Sequence, residues 1–175
     1  MTFVFLDTEF SDLCLAPRLI SIGLVSEDGQ QEFYAELTDT WRLEDTSTFC
    51  REVVLPLLEG EAVQRGHVQV SRELAEWLNG FAEPVTVLTD SLEWDWPWMQ
   101  ALFPSAASWP KNLAPKPALL HFRGEQAQVF TATVEGLYAA GLRRHHALDD
   151  ARANRQGWLA ATALTSGTAS PVPGK

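Results

Sequence analysis

Cysteine is scarce in this chain. Cys14 and Cys50 are the only two in 175 residues, too few for a disulfide framework or a cysteine-ligated zinc site. Their scarcity suits a reducing compartment. Cations are scarce as well: 13 Lys and Arg stand against 23 Asp and Glu, a formal net charge of −10. That balance argues against a broad electrostatic grip on a phosphate backbone. It does not exclude a nucleic-acid substrate, because an end held through metal ions needs few lysines. No apolar run is long enough to span a membrane. No basic segment precedes the N-terminal apolar run, so no secretion leader is expected. No internal repeat is visible. These absences predict a soluble, cytoplasmic protein with no membrane partner.

What is present is a foldable composition, 46% hydrophobic and 21% charged, in a length suited to one core. A single domain is expected over residues 1–165. The tail, residues 166–175 (SGTASPVPGK), is rich in Ser, Gly and Pro and reads as frayed.

Thr2 to Phe10 (TFVFLDTEF) reads as a strand, and Leu19 to Val25 (LISIGLV) as a strand buried on both faces. Asp28-Gly29 marks a hairpin between it and Gln31 to Leu37, which alternates polar and apolar like a half-exposed strand. Thr48 to Leu58 carries Phe49, Val53, Val54 and Leu57 at helical spacing, with Pro56 at a bend or last turn. Gly60 to Val70 reads as loop. Ser71 is expected to cap a helix to Phe81. Val85 to Leu88 is a core strand, and a helix follows to about Phe103. An irregular, proline-rich connection spans Pro104 to Pro117. Ala118 to Phe122 reads as a short strand, Val129 to Gly141 as a helix, and Ala147 to Thr165 as the last helix. The fold class is α/β, a mixed sheet flanked by helices.

Three acidic sites stand out. Asp7 and Glu9 are two apart on a strand, so they point the same way. Two carboxylates forced together repel unless a hard divalent cation sits between them. A pair of ordinary surface acids at a strand end is the plain alternative. Asp95 follows the fourth strand, among Trp94, Trp96 and Trp98. Its plain alternative is an acid favoured by a helix dipole. His145-His146-Ala147-Leu148-Asp149-Asp150 is the third. On one continuous helix, His145 and Asp150 would lie about 140° apart. They share a site only if His145 is in the loop before the helix and Asp150 in its first turns.

The three motifs, Asp7-x-Glu9, Trp94-Asp95-x-x-Trp98-Met99 and His145-x₄-Asp150, resemble those of the DEDD superfamily of 3′-to-5′ exonucleases, in its histidine-bearing DEDDh branch. The stretches DTEF, LISIGLVSEDG and HHALDDARA resemble small bacterial stand-alone exoribonucleases of that group. The likeness runs from about Thr2 to Trp158. It implies a ribonuclease H-like fold and hydrolysis of terminal phosphodiesters to nucleoside 5′-monophosphates by two Mg²⁺ or Mn²⁺ ions. Asp7, Glu9, Asp95 and Asp150 would hold the metals, with Asp7 bridging both, and His145 would act as base. Phe10 would stack on or wedge under a terminal base, or else join the core. One of the three tryptophans, with Trp98 the candidate, would line the substrate cleft. Asp90 is expected in a supporting or surface role, and Asp149 and His146 are decoys by spacing. Single-stranded or 3′-overhang nucleic acid is the expected partner, RNA before DNA, and a homodimer is implied. The alternatives are an exodeoxyribonuclease, a short-oligonucleotide phosphodiesterase, or an inactive nucleic-acid-binding adaptor on the same fold.

Overall fold

A computed structural model describes residues 1–14 and 16–166; most of the expected C-terminal tail lies outside them. Six strands form one mixed sheet: β1 (Thr2–Phe10), β2 (Leu19–Ser26), β3 (Glu32–Leu37), β4 (Gln64–Arg65), β5 (Val85–Thr89) and β6 (Ala118–Leu119). Their spatial order is β4-β3-β2-β1-β5-β6. Among the described residues four α-helices accompany them: α1 (His67–Asn79), α2 (Trp96–Leu102), α3 (Gly124–Ala139) and α4 (Ala147–Ser166). No helix among the described residues is long and apolar enough to cross a membrane.

β1 is the centre of this arrangement. It runs antiparallel to β2, with Asp7 opposite Gly23, and parallel to β5, with Phe5 opposite Leu88. Strand alternation splits its side chains between two layers. Val4 and Leu6 face a core shared with Val70, Leu74 and Leu78 of α1 and Met99 of α2. Phe5 faces a second core with Ala151 and Trp158 of α4. By the same alternation Asp7 and Glu9 emerge on the α4 side and Thr8 on the α2 side.

The close seat of α4 on β2 depends on one small residue. A Cβ added to Gly23 would lie 2.3 Å from the Leu148 amide nitrogen and 2.4 Å from the Ala147 carbonyl carbon. Backbone cannot rotate away as a side chain can, so Gly23→Ala pushes the N-terminus of α4 off the sheet. The expected cost is about 3 kcal/mol, the upper end for overpacking, read as a lowered urea midpoint. An unchanged midpoint would show that α4 is not held at this distance.

Several local expectations are corrected. The segment after Thr48 forms a π-helical turn at Cys50–Val54 and a 3₁₀ turn at Leu55–Leu57, with Phe49 left exposed. Residues 60–70 are not all loop: they contain β4, which covers the edge of β3, and the first turn of α1. That helix starts at His67 because Asp39 Oδ1 accepts the His67 amide hydrogen at 2.8 Å. Ser71 is not its cap; it lies inside, donating to the His67 carbonyl at 3.0 Å. β3 is not exposed along the whole of its polar face either. Glu36 is buried, accepting hydrogen bonds from the Tyr34 hydroxyl and the Glu59 and Gly60 amides. α3 begins at Gly124, and its expected buried residues are half-buried.

Candidate metal centre

The C-terminal ends of β1 and β5 lie side by side because the two strands are parallel. The first turn of α4 comes over the same edge. This junction gathers Asp7, Glu9, Asp90, Asp95, His145 and Asp150 around one cavity of about 670 Å³, within the usual range for enclosing a small ligand. Ligand atoms of Glu9, His145 and Asp150 lie within 4.8 Å of one another, as do those of Asp7, Asp90 and Asp95. The donors are oxygens with one imidazole, the set that hard divalent cations prefer, and the two groups fit divalent metal sites.

Two of the carboxylates are aimed by hydrogen bonds from neighbours. Asp95 stands at the start of α2 and is buried. The Thr8 amide and hydroxyl donate to its Oδ1 at 3.1 and 2.6 Å, and the Thr89 hydroxyl donates to its Oδ2. Asp150 accepts from the Tyr138 hydroxyl at 2.6 Å and from the His145 amide at 2.9 Å. His145 lies in the loop before α4 with φ of 66°, a left-handed conformation unusual for a side-chain-bearing residue. The bond from its amide to Asp150 secures that conformation. His146 caps α4: its Nδ1 accepts from the Asp149 amide at 3.4 Å. Asp149 is tied to Arg143 and Arg152 at 2.6 and 2.7 Å, outside the acidic group.

Burial and crowding leave these acids reluctant to ionise. Burial, then the charges of Asp95, Glu9 and Asp150, holds Asp7 well above the usual carboxylate range. Burial, then Asp150 and Asp95, pushes Glu9 up to about 8. Asp95 and Asp150 are raised to about 6, chiefly by burial, with their hydrogen bonds pulling the other way. Burial and the neighbouring Arg144 lower His145 below its ordinary value, which favours neutral imidazole near pH 7.

The sign of the stability change follows. In the unfolded chain these carboxyls titrate at about 4. Folded and metal-free, they bind protons up to pH 6–8. Their contribution to stability is therefore full below about pH 4 and is lost as pH rises through about 6 to 8. EDTA-treated protein should melt at a higher temperature at pH 5.5 than at pH 8.5, and Mn²⁺ should remove the difference, since it binds the ionised ligands. A flat metal-free profile would contradict the crowding.

Not every expected residue arrives at the cavity. Phe10 does, its ring stacked on Trp94 at 5.4 Å and 14°. Trp98 does not: it packs at the rim of the α2 core, beside a separate pocket with Pro17 and His67. Trp94 is the tryptophan on the acidic cavity. Asp90, expected in a supporting or surface role, stands in the same ligand group as Asp7. The signal for it was in the strand register, which sets Asp90 just beyond the Phe5–Leu88 pair and so beside Asp7. Tyr138 and Arg144 also line the cavity, and no local pattern marks them in advance.

No protein-family model matches the chain. No curated protein matches it either. Among solved structures it is similar to Pop2p of S. pombe in a form with Mg²⁺ and Mn²⁺ bound, with TM-score 0.55 and 13% sequence identity, covering 95% of this chain and 83% of that one. At that identity the likeness is one of fold, and it agrees with the central mixed sheet and its flanking helices. The chain has the ribonuclease H-like fold.

Proposed function

We propose that this chain is a metal-dependent 3′-to-5′ exoribonuclease of the DEDDh kind, resembling the small bacterial stand-alone enzymes, that releases nucleoside 5′-monophosphates. One observation carries the reading: residues from three distant motifs, Asp7 and Glu9, Asp95, and His145 with Asp150, line one cavity in two ligand groups. The solved likeness to Pop2p with bound Mg²⁺ and Mn²⁺ supports the choice of cations. Two such ions, when bound, supply Lewis acidity and a water of lowered pKa.

The chain's own residues do the rest. Asp7, Glu9, Asp95 and Asp150 fix where the charge lies, and the threonine and tyrosine hydrogen bonds keep two of them from turning. His145 accepts the proton of the attacking water, a task suited to neutral imidazole. The stacked Phe10 and Trp94 offer a flat apolar wall to a terminal base, without regard to its identity. The acidity of the cavity favours short single-stranded ends over long duplex. RNA and a homodimeric assembly are proposed on the resemblance of the motifs.

The test is incubation with a 3′-overhang RNA and the matching DNA, in Mn²⁺ and in EDTA. Stepwise loss from the 3′ end of RNA, only with metal, is the expected result. Faster loss from DNA would transfer the proposal to an exodeoxyribonuclease. No loss from either strand would favour an inactive adaptor.

A further inference from the structure

A strand end brings more than one phosphate, and cations held by the acidic cluster would neutralise only the one that reacts. The next phosphate meets a wall of carboxylates. Among the described residues, Arg144 is the single lysine or arginine that lines the cavity. The neighbouring arginines are committed elsewhere: Arg143 to Asp149 and Glu59, Arg152 to Glu32 and Asp149.

Arg144 is held ready rather than buried. Its guanidinium carbon lies 4.2 Å above the centre of the Tyr138 ring, and the Tyr138 hydroxyl donates to Asp150. Stacking of this kind orients the planar fork. Its charge partner is Glu135, at 2.6 Å, with side chains 47% and 55% exposed. An exposed pair of this sort holds weakly, so an arriving phosphate can replace the carboxylate. The fork then takes two phosphate oxygens at once.

Resting on the nuclease reading above, we propose that Arg144 binds the phosphodiester next to the reacting one, and that Glu135 occupies Arg144 until a strand arrives. The pair sets the preference for a nucleic-acid strand over a small phosphodiester. Glu135 must leave for a strand to enter, so it also restrains binding.

The test compares a ten-nucleotide single-stranded RNA with the p-nitrophenyl ester of uridine 5′-monophosphate, which has the same sugar and carries only the reacting phosphate. Both are assayed in Mn²⁺ with wild type, Arg144→Ala, Arg144→Lys and Glu135→Gln. Arg144→Ala should raise KM for the strand roughly tenfold more than KM for the ester, the scale of one charge-assisted hydrogen bond. Arg144→Lys should recover part of that difference. Glu135→Gln should lower the strand KM about two- to fivefold. The slope of log KM against log salt should fall by about 0.7 in Arg144→Ala, one phosphate contact fewer on a single strand. Equal changes for both substrates, or an unaltered salt slope, overturn the inference and leave the nuclease reading standing. Wild-type turnover of the ester without the strand also overturns it. Turnover of neither overturns both.

Discussion

His145→Ala should slow 3′-end shortening by roughly 10²–10⁴-fold, the range over which a positioned general base acts, with kcat carrying the loss. The expectation rests on where the imidazole sits. It shares ligand distance with Glu9 and Asp150. Burial and Arg144 keep it below its ordinary pKa, so it is ready to take a proton near pH 7. Phe49 packs edge-on against it at 5.0 Å and 89°, which limits its swing. A base and a metal ligand predict different companions to the lost activity. If His145 acts as base, Mn²⁺ affinity changes little in the variant; a ligand's loss would weaken it in parallel. Full activity in His145→Ala would remove the histidine from the mechanism.

Asp7→Asn should have opposite effects on stability and on activity. Asp7 has the most acidic neighbours of the group and pKa raised well above the usual range. Without metal it must either carry a buried charge or hold a proton well above its unfolded pKa, and both cost stability, so the amide should stabilise the EDTA-treated protein. Relief of about 2 kcal/mol, part of the roughly 3–5 kcal/mol that an uncompensated buried charge costs, moves Tm of a chain this size by about 4–8 °C. Saturating Mn²⁺ stabilises wild type by about 2.7 kcal/mol for each site at a hundredfold excess over Kd. In Asp7→Asn that gain should nearly vanish, and shortening of 3′ ends with it. An equal Mn²⁺-induced rise in both proteins would place the metal somewhere other than this cluster.

The sequence made the middle of the sheet readable because burial there is strict. β1 and β2 are apolar where both faces are covered, and the Asp28-Gly29 turn fixes their neighbour β3. Where the deciding contact is distant in sequence, local pattern failed. α1 is started by Asp39, 28 residues before His67, so no nearby Ser or Thr could announce it. The two-residue β4 is too short to have a period. The π-helical turn at Cys50–Val54 shifts the apolar spacing away from the helical expectation and turns Phe49 outward, toward His145.

The site divides the same way. His145 and Asp150 required a loop followed at once by a helix, and the start of α4 at Ala147 provides it. Asp90 was legible only through the parallel pairing of β1 and β5. The choice between Trp94 and Trp98 depended on the start of α2. The helix begins at Trp96, leaving Trp94 in the preceding turn over the cavity and Trp98 against the core. Glu135 and Tyr138 are three apart on α3, and the loop after that helix turns back to set Arg144 over them; helical spacing accounts for the first two, and only the loop's path adds the third.

If the crowded carboxylates form a two-cation centre, titration of metal-free protein with Mn²⁺, followed by electron paramagnetic resonance, will reveal both ions. Two ions about 4 Å apart couple magnetically. The expected result is a coupled spectrum that saturates at two Mn²⁺ per chain and is absent in Asp7→Asn. Only isolated-ion lines at every ratio, or a coupled spectrum that survives in Asp7→Asn, would contradict it.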